Sequence, residues 1–400
     1  MLRPRLLTLL CYGAMMSLAI GVNLLPVFLT SLSLTFGGPD GLSQEQLGRL
    51  GAISFIGLVL GILVAGPGAD RWGAKGFAVG GNAIMVFSLI GMSLAPDYGI
   101  LGVAVFWLGF GAGILDMILS PVVAVLNPNR RSAAMNWLHS FYCVGAVVTI
   151  LASTVALQIG FEWRHACLLL LPLPLVLAAA FALLRFPALV ADSETAGRTP
   201  LRHLLRERWF WGALAAIFLG GATELGMAQW LPAYAETTLG YPQWVGGTAL
   251  LLFSVGMAAG RMVVGAIGER VNPFLVMAWC CGSSVVLFLL GSFLPVSSLA
   301  LAACIAVGFT GSALWPTLLG VTADRYSSGG GSMFAALAAL GNAGGIVMPW
   351  VVGWIGDLSS LRWGLAVSAF APLLMLPLVL MLKSWNVDRT SRSENAIVMK

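Results

Sequence analysis

Apolar residues run in twelve long blocks along the 400-residue chain, separated by short polar stretches. A helix that crosses a bilayer needs about 20 mainly apolar residues. Reading the sequence with a window of that length predicts twelve membrane-spanning helices. Their approximate ranges are 6–34, 47–66, 77–96, 101–126, 134–158, 165–186, 209–237, 244–266, 273–294, 299–322, 332–355 and 361–383.

The longest polar stretch, residues 187–208, divides the spans six and six. We therefore expect an N-terminal six-helix bundle over residues 1–186, a cytoplasmic linker over 187–208, a C-terminal six-helix bundle over 209–386 and a cytoplasmic tail over 387–400. The later part of the linker could form a short amphipathic helix on the membrane surface. Little chain remains for a soluble domain, so the fold class is an all-α membrane protein.

Composition excludes several classes of protein. Hydrophobic residues make up 59% of the chain and charged residues 9%, against roughly 25% charged residues in soluble domains. The formal net charge of +5 is spread over loops, which argues against a nucleic-acid partner. The three histidines lie on different segments, and the six cysteines lack the C-x-x-C spacing of a metal or redox site. No Walker-type motif occurs. We therefore expect neither an enzyme nor a cofactor.

Lysine and arginine residues predict the orientation. With the N terminus, the even-numbered loops and the C terminus on one side, that side holds eighteen of them, Arg261 included, and the other side holds three. Cytoplasmic loops are enriched in these residues, so both termini are expected in the cytoplasm. The first apolar run is longer than a signal-peptide core and is expected to remain as a span. The chain is thus expected in the inner (plasma) membrane as a multi-pass protein.

The loop between the second and third spans and the loop between the eighth and ninth share a pattern of glycine, three residues, an acid and an arginine. The residues are Gly66, Asp70, Arg71, Gly73 and Lys75 in the first copy and Gly265, Glu269 and Arg270 in the second. We expect a tight cytoplasmic turn made by glycine. Asp70 and Glu269 are expected to act as gating latches, each contacting a neighbouring helix end. The alternative is that the motif forms a purely structural turn.

This repeat, in register across a six-plus-six division, resembles the major facilitator superfamily over the whole chain. The resemblance implies two six-helix bundles related by an axis along the membrane normal, with the substrate site between them at the midplane. It also implies transport of a small molecule by alternating access. We expect a monomer in the lipid bilayer.

Two acidic residues lie deep inside predicted spans, Asp116 in the fourth and Glu224 in the seventh. A carboxylate at the bilayer centre costs roughly 2.5–3.5 kcal/mol on insertion scales. An acid is tolerated at this depth when it faces a water-filled cavity, pairs with another group or carries a proton. Asp116 and Glu224 are therefore expected to couple proton movement beside a water-accessible chamber. The alternative for each is a neutral acid that bonds a neighbouring helix.

A polar face on the fifth span and Ser120 on the fourth accompany Asp116. On the fifth span Asn136, His139 and Tyr142 recur every three residues and offer donors and acceptors for hydroxyl groups. This pattern resembles the fucose permease-like sugar:proton symporters, although Ser120, His139 and Tyr142 replace two asparagines and a glutamine of that group. The resemblance implies symport, with Asp116 coupling proton uptake to the binding of a monosaccharide.

That group carries a second acid in the first span, where the nearest polar residue of this chain is Asn23. Glu224 would then supply the second titratable site from the other bundle. Amides and indole rings that suit a sugar also occur in the C-terminal half, at Gln229, Trp230, Trp315 and Asn342. For each tryptophan, an interfacial or core position is the alternative.

Other modes of transport stay open. Proton-coupled antiporters that export drugs or metabolites usually carry an arginine in the fourth span and a Gly-Pro pair in the fifth. Residues 106–113 contain no arginine and residues 145–160 no proline, which counts against antiport. Sodium could replace the proton as coupling ion if Ser120 and Tyr142 add oxygens to Asp116. Uniport of a sugar is the remaining alternative.

Overall fold

The computed structural model describes residues 4–127, 131–187, 201–267, 271–326 and 330–398, without the side chains of residues 70, 131–136, 265–267, 330–332 and 386–398. All regular structure in these ranges is helical, and twelve segments are long and apolar enough to cross a membrane. The predicted number of spans and the all-α fold class are thereby confirmed.

The helices in chain order are α1 (Pro4–Phe36), α2 (Gln44–Trp72), α3 (Ala74–Leu94), α4 (Tyr98–Leu126), α5 (Arg131–Gln158), α6 (Trp163–Leu169), α7 (Pro172–Leu183), α8 (Leu201–Leu204), α9 (Arg208–Ala233), α10 (Gln243–Ile267), α11 (Pro273–Phe293), α12 (Ser297–Gly311), α13 (Leu314–Arg325), α14 (Gly330–Leu358), α15 (Leu361–Val367) and α16 (Phe370–Val398). A π-helical turn, Tyr234–Thr238, extends α9. The pairs α6–α7, α12–α13 and α15–α16 each form one span. In the described part of the linker, α8 has only four residues.

Several helices begin where the sequence provides a polar cap. The side chains of Ser43, Asp97 and Asn272 accept hydrogen bonds from backbone N–H groups in the first turns of α2, α4 and α11. Such caps satisfy donors that have no partner inside the helix. The span ends predicted from apolar runs therefore agree with the structure to within a few residues.

Glycines allow α2 and α4 to pack at backbone contact inside the N-terminal half. A side chain at Gly57 or Gly61 of α2 would collide with the backbone of α4, and one at Gly109 or Gly113 of α4 would collide with the backbone of α2. Small residues give membrane helices this close approach. These positions of α4 therefore serve helix packing rather than leaving space for a ligand.

Matching arginines show the pseudo-symmetry of the two halves. Arg164 of α6 donates hydrogen bonds to the backbone oxygens of Ser93 and Ala95 at the end of α3, at 2.7 and 2.9 Å. Arg362 of α15 donates to the backbone oxygen of Ser292 at the end of α11, at 3.4 Å. In each half the sixth span thus caps the carboxyl end of the third, where basic groups complement the helix dipole.

The two halves meet along α2 with α14, α5 with α10 and α1 with α9. We call the membrane face that carries residues 184–187 and 201–207 the linker face and the opposite one, which carries residues 37–43, the gate face. At the gate face, Gln243 at the start of α10 donates a hydrogen bond to Ser31 of α1 at 2.8 Å. Nearby, a side chain at Gly48 of α2 would collide with Pro349 of α14, so the two halves are in close contact here.

A carboxylate fastens the halves together at the gate face. Asp357, near the end of α14, accepts hydrogen bonds from the backbone N–H groups of Gln44 and Glu45 in the first turn of α2, at 2.7 Å each. Trp350 of α14 donates to the Glu45 side chain at 2.7 Å. A carboxylate at a helix start complements the positive end of the helix dipole. We call Asp357, Trp350, Gln44 and Glu45 the gate clasp.

The repeated acid–arginine motif differs from its predicted form. Gly66 and Asp70 lie inside α2, and Arg71 lies in its last turn rather than in a loop. The turn consists of Gly73 alone, whose φ of 82° suits glycine, and Lys75 already lies in α3. Gly265 lies in the last turn of α10. Glu269 and Arg270, like the side chain of Asp70, lie outside the described part of the structure.

We predict that Asp357→Asn shifts the protein toward the conformation that is open at the gate face, because the clasp loses its charge at the helix start. The shift should be about 1 kcal/mol, or roughly fivefold in population. Spin labels at the exposed positions Leu34 and Leu299, one in each half, would report it as a longer electron–electron distance, in a background whose native cysteines are replaced.

Asp40→Asn serves as the matched control, since Asp40 is an exposed acid in the neighbouring loop of the same face. Unchanged distance distributions in Asp357→Asn, or an equal shift in the control, would show that the clasp does not hold this face closed.

Candidate functional site

An ion pair lies in the interior of the C-terminal half. Arg261 of α10 reaches both carboxylate oxygens of Glu224 of α9, at 3.3 and 3.5 Å. The Arg261 side chain is 32% exposed and the Glu224 side chain 16%. The halves are in contact at the gate face, so this exposure points to a cavity between them that opens toward the linker face. Because Arg261 lies within a span, it was wrongly counted among the loop cations; seventeen against three remain.

A proline holds Arg261 in place indirectly. Pro316 has no backbone N–H and so cannot bond the carbonyl of Ser312, four residues earlier. The chain breaks between α12 and α13 at this point, and Arg261 donates its Nε–H to the free Ser312 oxygen at 3.2 Å. The guanidinium thus has two fixed acceptors, one on α9 and one at the break.

The N-terminal half faces this ion pair with neutral polar groups. Asn23 of α1 donates a hydrogen bond to the Tyr142 hydroxyl of α5 at 3.5 Å and another to the backbone oxygen of Ala19 at 2.9 Å. Tyr142, Cys143 and His139 of α5 lie within electrostatic range of Arg261. His139 is exposed, and the side chain of Asn136 lies outside the described part.

Two aromatic candidates of the C-terminal half have different surroundings. Trp315 of α13 is partly buried, and its ring lies against Gly341 of α14 and Gly221 of α9. Trp230 of α9 is 1% exposed and donates its indole N–H to the backbone oxygen of Pro349 at 2.9 Å. Trp230 is therefore a packing residue between α9 and α14, and its prediction as a substrate-binding residue is corrected.

Two amide candidates of the same half are also separate from one another. Gln229 is buried and faces Gly51 of α2, where the two halves meet. Asn342 of α14 is partly buried and donates a hydrogen bond to the backbone oxygen of Ala338 in its own helix at 3.0 Å. Gln229 thus lies at the contact between the halves rather than beside the ion pair.

Asp116 lies apart from the ion pair. It follows Ala112, which packs on α1, and Gly113, which packs on α2, so it faces the groove between those helices. No hydrogen bond or ion pair within the described part of the chain engages its carboxylate. Ser120, one turn further along α4, is partly buried. The structure therefore does not group Asp116 and Ser120 with Tyr142 and Asn23.

Arg261 is a site residue that the sequence analysis does not predict. The signal was present, because the predicted eighth span, 244–266, contains it, and an arginine inside a span needs a partner just as an acid does. The partner is Glu224. Together they place a positive group, balanced by a carboxylate, at a partly exposed position inside the helix bundle, which is an arrangement suited to binding an anion.

The family model of the Major Facilitator Superfamily matches residues 9–328. A gentisate transporter of Corynebacterium glutamicum is 27% identical to this chain, covering 82% of it and 76% of that protein. A gallate transporter of Pseudomonas putida is 28% identical, covering 67% and 68%. A probable nitrate/nitrite transporter of Mycobacterium tuberculosis is 23% identical, covering 80% and 82%.

Among solved structures, the fold is similar to that of the Escherichia coli xylose transporter in a partially occluded inward-open conformation. The TM-score is 0.75 at 12% identity, covering 94% of this chain and 96% of that one. The Escherichia coli fucose:proton symporter gives a TM-score of 0.62 at 18% identity, covering 94% and 98%. At these identities the likeness concerns the fold, and it confirms the two-bundle architecture expected from the sequence.

We predict that Trp230→Phe lowers the free energy of unfolding by about 1 kcal/mol or more, because the buried oxygen of Pro349 loses its donor. Substrate affinity should stay unchanged, since Trp230 lies outside the cavity. Thermal melting of the purified protein, together with ligand binding, checks both parts. If Trp230→Phe instead lowers substrate affinity and leaves the stability unchanged, Trp230 contacts the substrate.

Proposed function

The chain belongs to the major facilitator superfamily, and from that premise we propose that it moves a small organic anion together with a proton. The family and its relatives are transporters, so the chain is a multi-pass membrane transporter of a small molecule and not an enzyme. The proposed substrate is the organic anion, and the proposed driving force is the proton gradient. Its main support is the Arg261–Glu224 pair.

Charge balance in the cavity links the anion to the proton. Glu224 neutralises Arg261 while the site is free of substrate. A second carboxylate at Arg261 would leave a net negative charge near the middle of the membrane, which is costly. Protonation of Glu224 removes that cost and frees the guanidinium for the incoming anion. The anion and the proton therefore bind together and leave together.

The relatives favour an anion over a neutral sugar. Gentisate and gallate are aromatic carboxylates and nitrate is an inorganic anion, so the named substrates of these three proteins share a negative charge. Arg261 gives this chain the group that such substrates need, because a guanidinium forms paired hydrogen bonds with a carboxylate. We propose a monocarboxylate as the simplest anion that one arginine balances.

Symport of a monosaccharide is the second candidate function. It is favoured by the Asn23–Tyr142 pair, whose amide and hydroxyl suit sugar hydroxyl groups. In that case Asp116 would couple the proton, as the sequence resemblance implies. Export in exchange for protons and coupling to sodium are further alternatives, and the same transport assay distinguishes them.

The loop charges support an inner-membrane protein with both termini in the cytoplasm. The linker face would then be cytoplasmic, and the structure would correspond to an inward-facing state. We propose that the protein works as a monomer, since each chain contains both halves of the cavity.

The decisive experiment is accumulation of benzoate in proteoliposomes under an inward proton gradient. We predict that Glu224→Gln abolishes accumulation but keeps exchange of internal for external benzoate, because the anion still binds Arg261 while the proton no longer does. Arg261→Gln should weaken benzoate binding at least about tenfold, since hydrogen bonds to charged groups are strong.

Asp116→Asn and Arg202→Gln serve as controls, the latter because Arg202 is an exposed arginine of α8, away from the ion pair. Two parallel assays replace the proton gradient with a sodium gradient at equal pH, or replace benzoate with external xylose or fucose. If accumulation survives in Glu224→Gln but fails in Asp116→Asn, Asp116 rather than Glu224 couples the proton to transport. Uptake of the sugars without benzoate uptake would replace the anion with a monosaccharide.

A further inference from the structure

The break between α12 and α13 carries an indole ring three residues from the carbonyl that holds the Arg261 guanidinium. The Ser312 backbone oxygen at the break accepts the Arg261 Nε–H, and Trp315 follows Ser312 by three residues, in the first turn of α13. Pro316 frees the Ser312 oxygen for this bond. One short segment, Ser312–Pro316, therefore anchors the cation and carries the aromatic side chain.

Two glycines fix the position of that ring. A side chain at Gly341 of α14 would collide with the outer edge of the Trp315 indole, and one at Gly221 of α9 would contact the same edge at 3.2 Å. The six-membered part of the indole is thus wedged between α9 and α14. A wedged ring has lost its rotamer freedom before any ligand arrives, so it can bind without that entropic cost.

The residues around Trp315 are close along the chain to those that hold the ion pair. Gly221, which the ring contacts, precedes Glu224 by three residues on α9, a rise of about 4.5 Å along the helix. Ser312, the other acceptor of Arg261, precedes Trp315 by three residues. Trp315 is partly buried, unlike Trp230, which is 1% exposed. Within the described part of the chain no hydrogen bond occupies the Trp315 indole N–H.

We propose that Trp315 is a specificity-determining residue that stacks on the ring of the transported anion, so that the substrates are carboxylates borne on an aromatic ring. This inference rests on the anion transport proposed above. The carboxylate binds Arg261, and a benzoate-sized ring bridges the single turn to the indole. Offset or edge-to-face contact between two aromatic rings adds affinity beyond the burial of area, which a saturated ring does not receive.

The experiment compares benzoate with cyclohexanecarboxylate, two acids of equal charge and similar size that differ in aromaticity. Dissociation constants are measured by calorimetry on the purified full-length protein. We predict that the wild type binds benzoate about three- to tenfold more tightly. Trp315→Leu should remove that preference with little effect on cyclohexanecarboxylate, and Trp315→Phe should keep most of it.

Trp279→Leu is the matched control, because Trp279 of α11 is 78% exposed on the outer surface. Equal affinity of the wild type for the two acids would overturn the stacking role while leaving anion transport intact. An equal loss for both acids in Trp315→Leu would also overturn it, since that is the signature of packing alone. If neither acid binds the wild type, the proposed anion function itself fails.

Discussion

The Arg261–Glu224 ion pair imposes the constraint on which the rest of the site depends. Two charges removed from water cost several kcal/mol each unless geometry and hydration compensate them. Here the contact is loose, at 3.3 and 3.5 Å, and the compensation comes from the partial exposure of both side chains. The pair is therefore held where water reaches it, and its charge sum must stay near zero through every step of transport.

All fixed partners of Arg261 belong to the C-terminal half. Glu224 lies on α9 and the Ser312 oxygen at the α12–α13 break, while the N-terminal half offers the neutral Asn23 and Tyr142. When the halves rock, the charges consequently move as one unit, and the polar groups that slide past them are uncharged. The Arg261–Glu224 pair, which lies within one half, does not have to be pulled apart by the rocking itself. Under the proposed function, the pair changes when an anion and a proton bind or leave.

The sequence predicts the fold well because span formation is a local property. Apolar runs, polar caps such as Ser43 and the long linker are all readable without knowing which helices touch. The site depends on contacts that are not local. Trp230 and Trp315 occupy similar apolar stretches, yet one meets the Pro349 oxygen and the other two glycines. Arg261 was assigned to a loop because it lies close to the end of its span, and its partner is set by helix packing.

The difference between the contacts inside each half and those between the halves explains how such a protein can move. Inside the N-terminal half, α2 and α4 touch through glycines, and bending them apart would open voids that nothing fills. Between the halves at the gate face, the clasp is made of exposed groups around Asp357, whose hydrogen bonds water can replace. Separating the halves therefore costs far less than deforming either one. The contacts therefore favour movement of each half as a rigid body, and the proposed function adds the charge at Arg261 to the few polar contacts that set which state is populated.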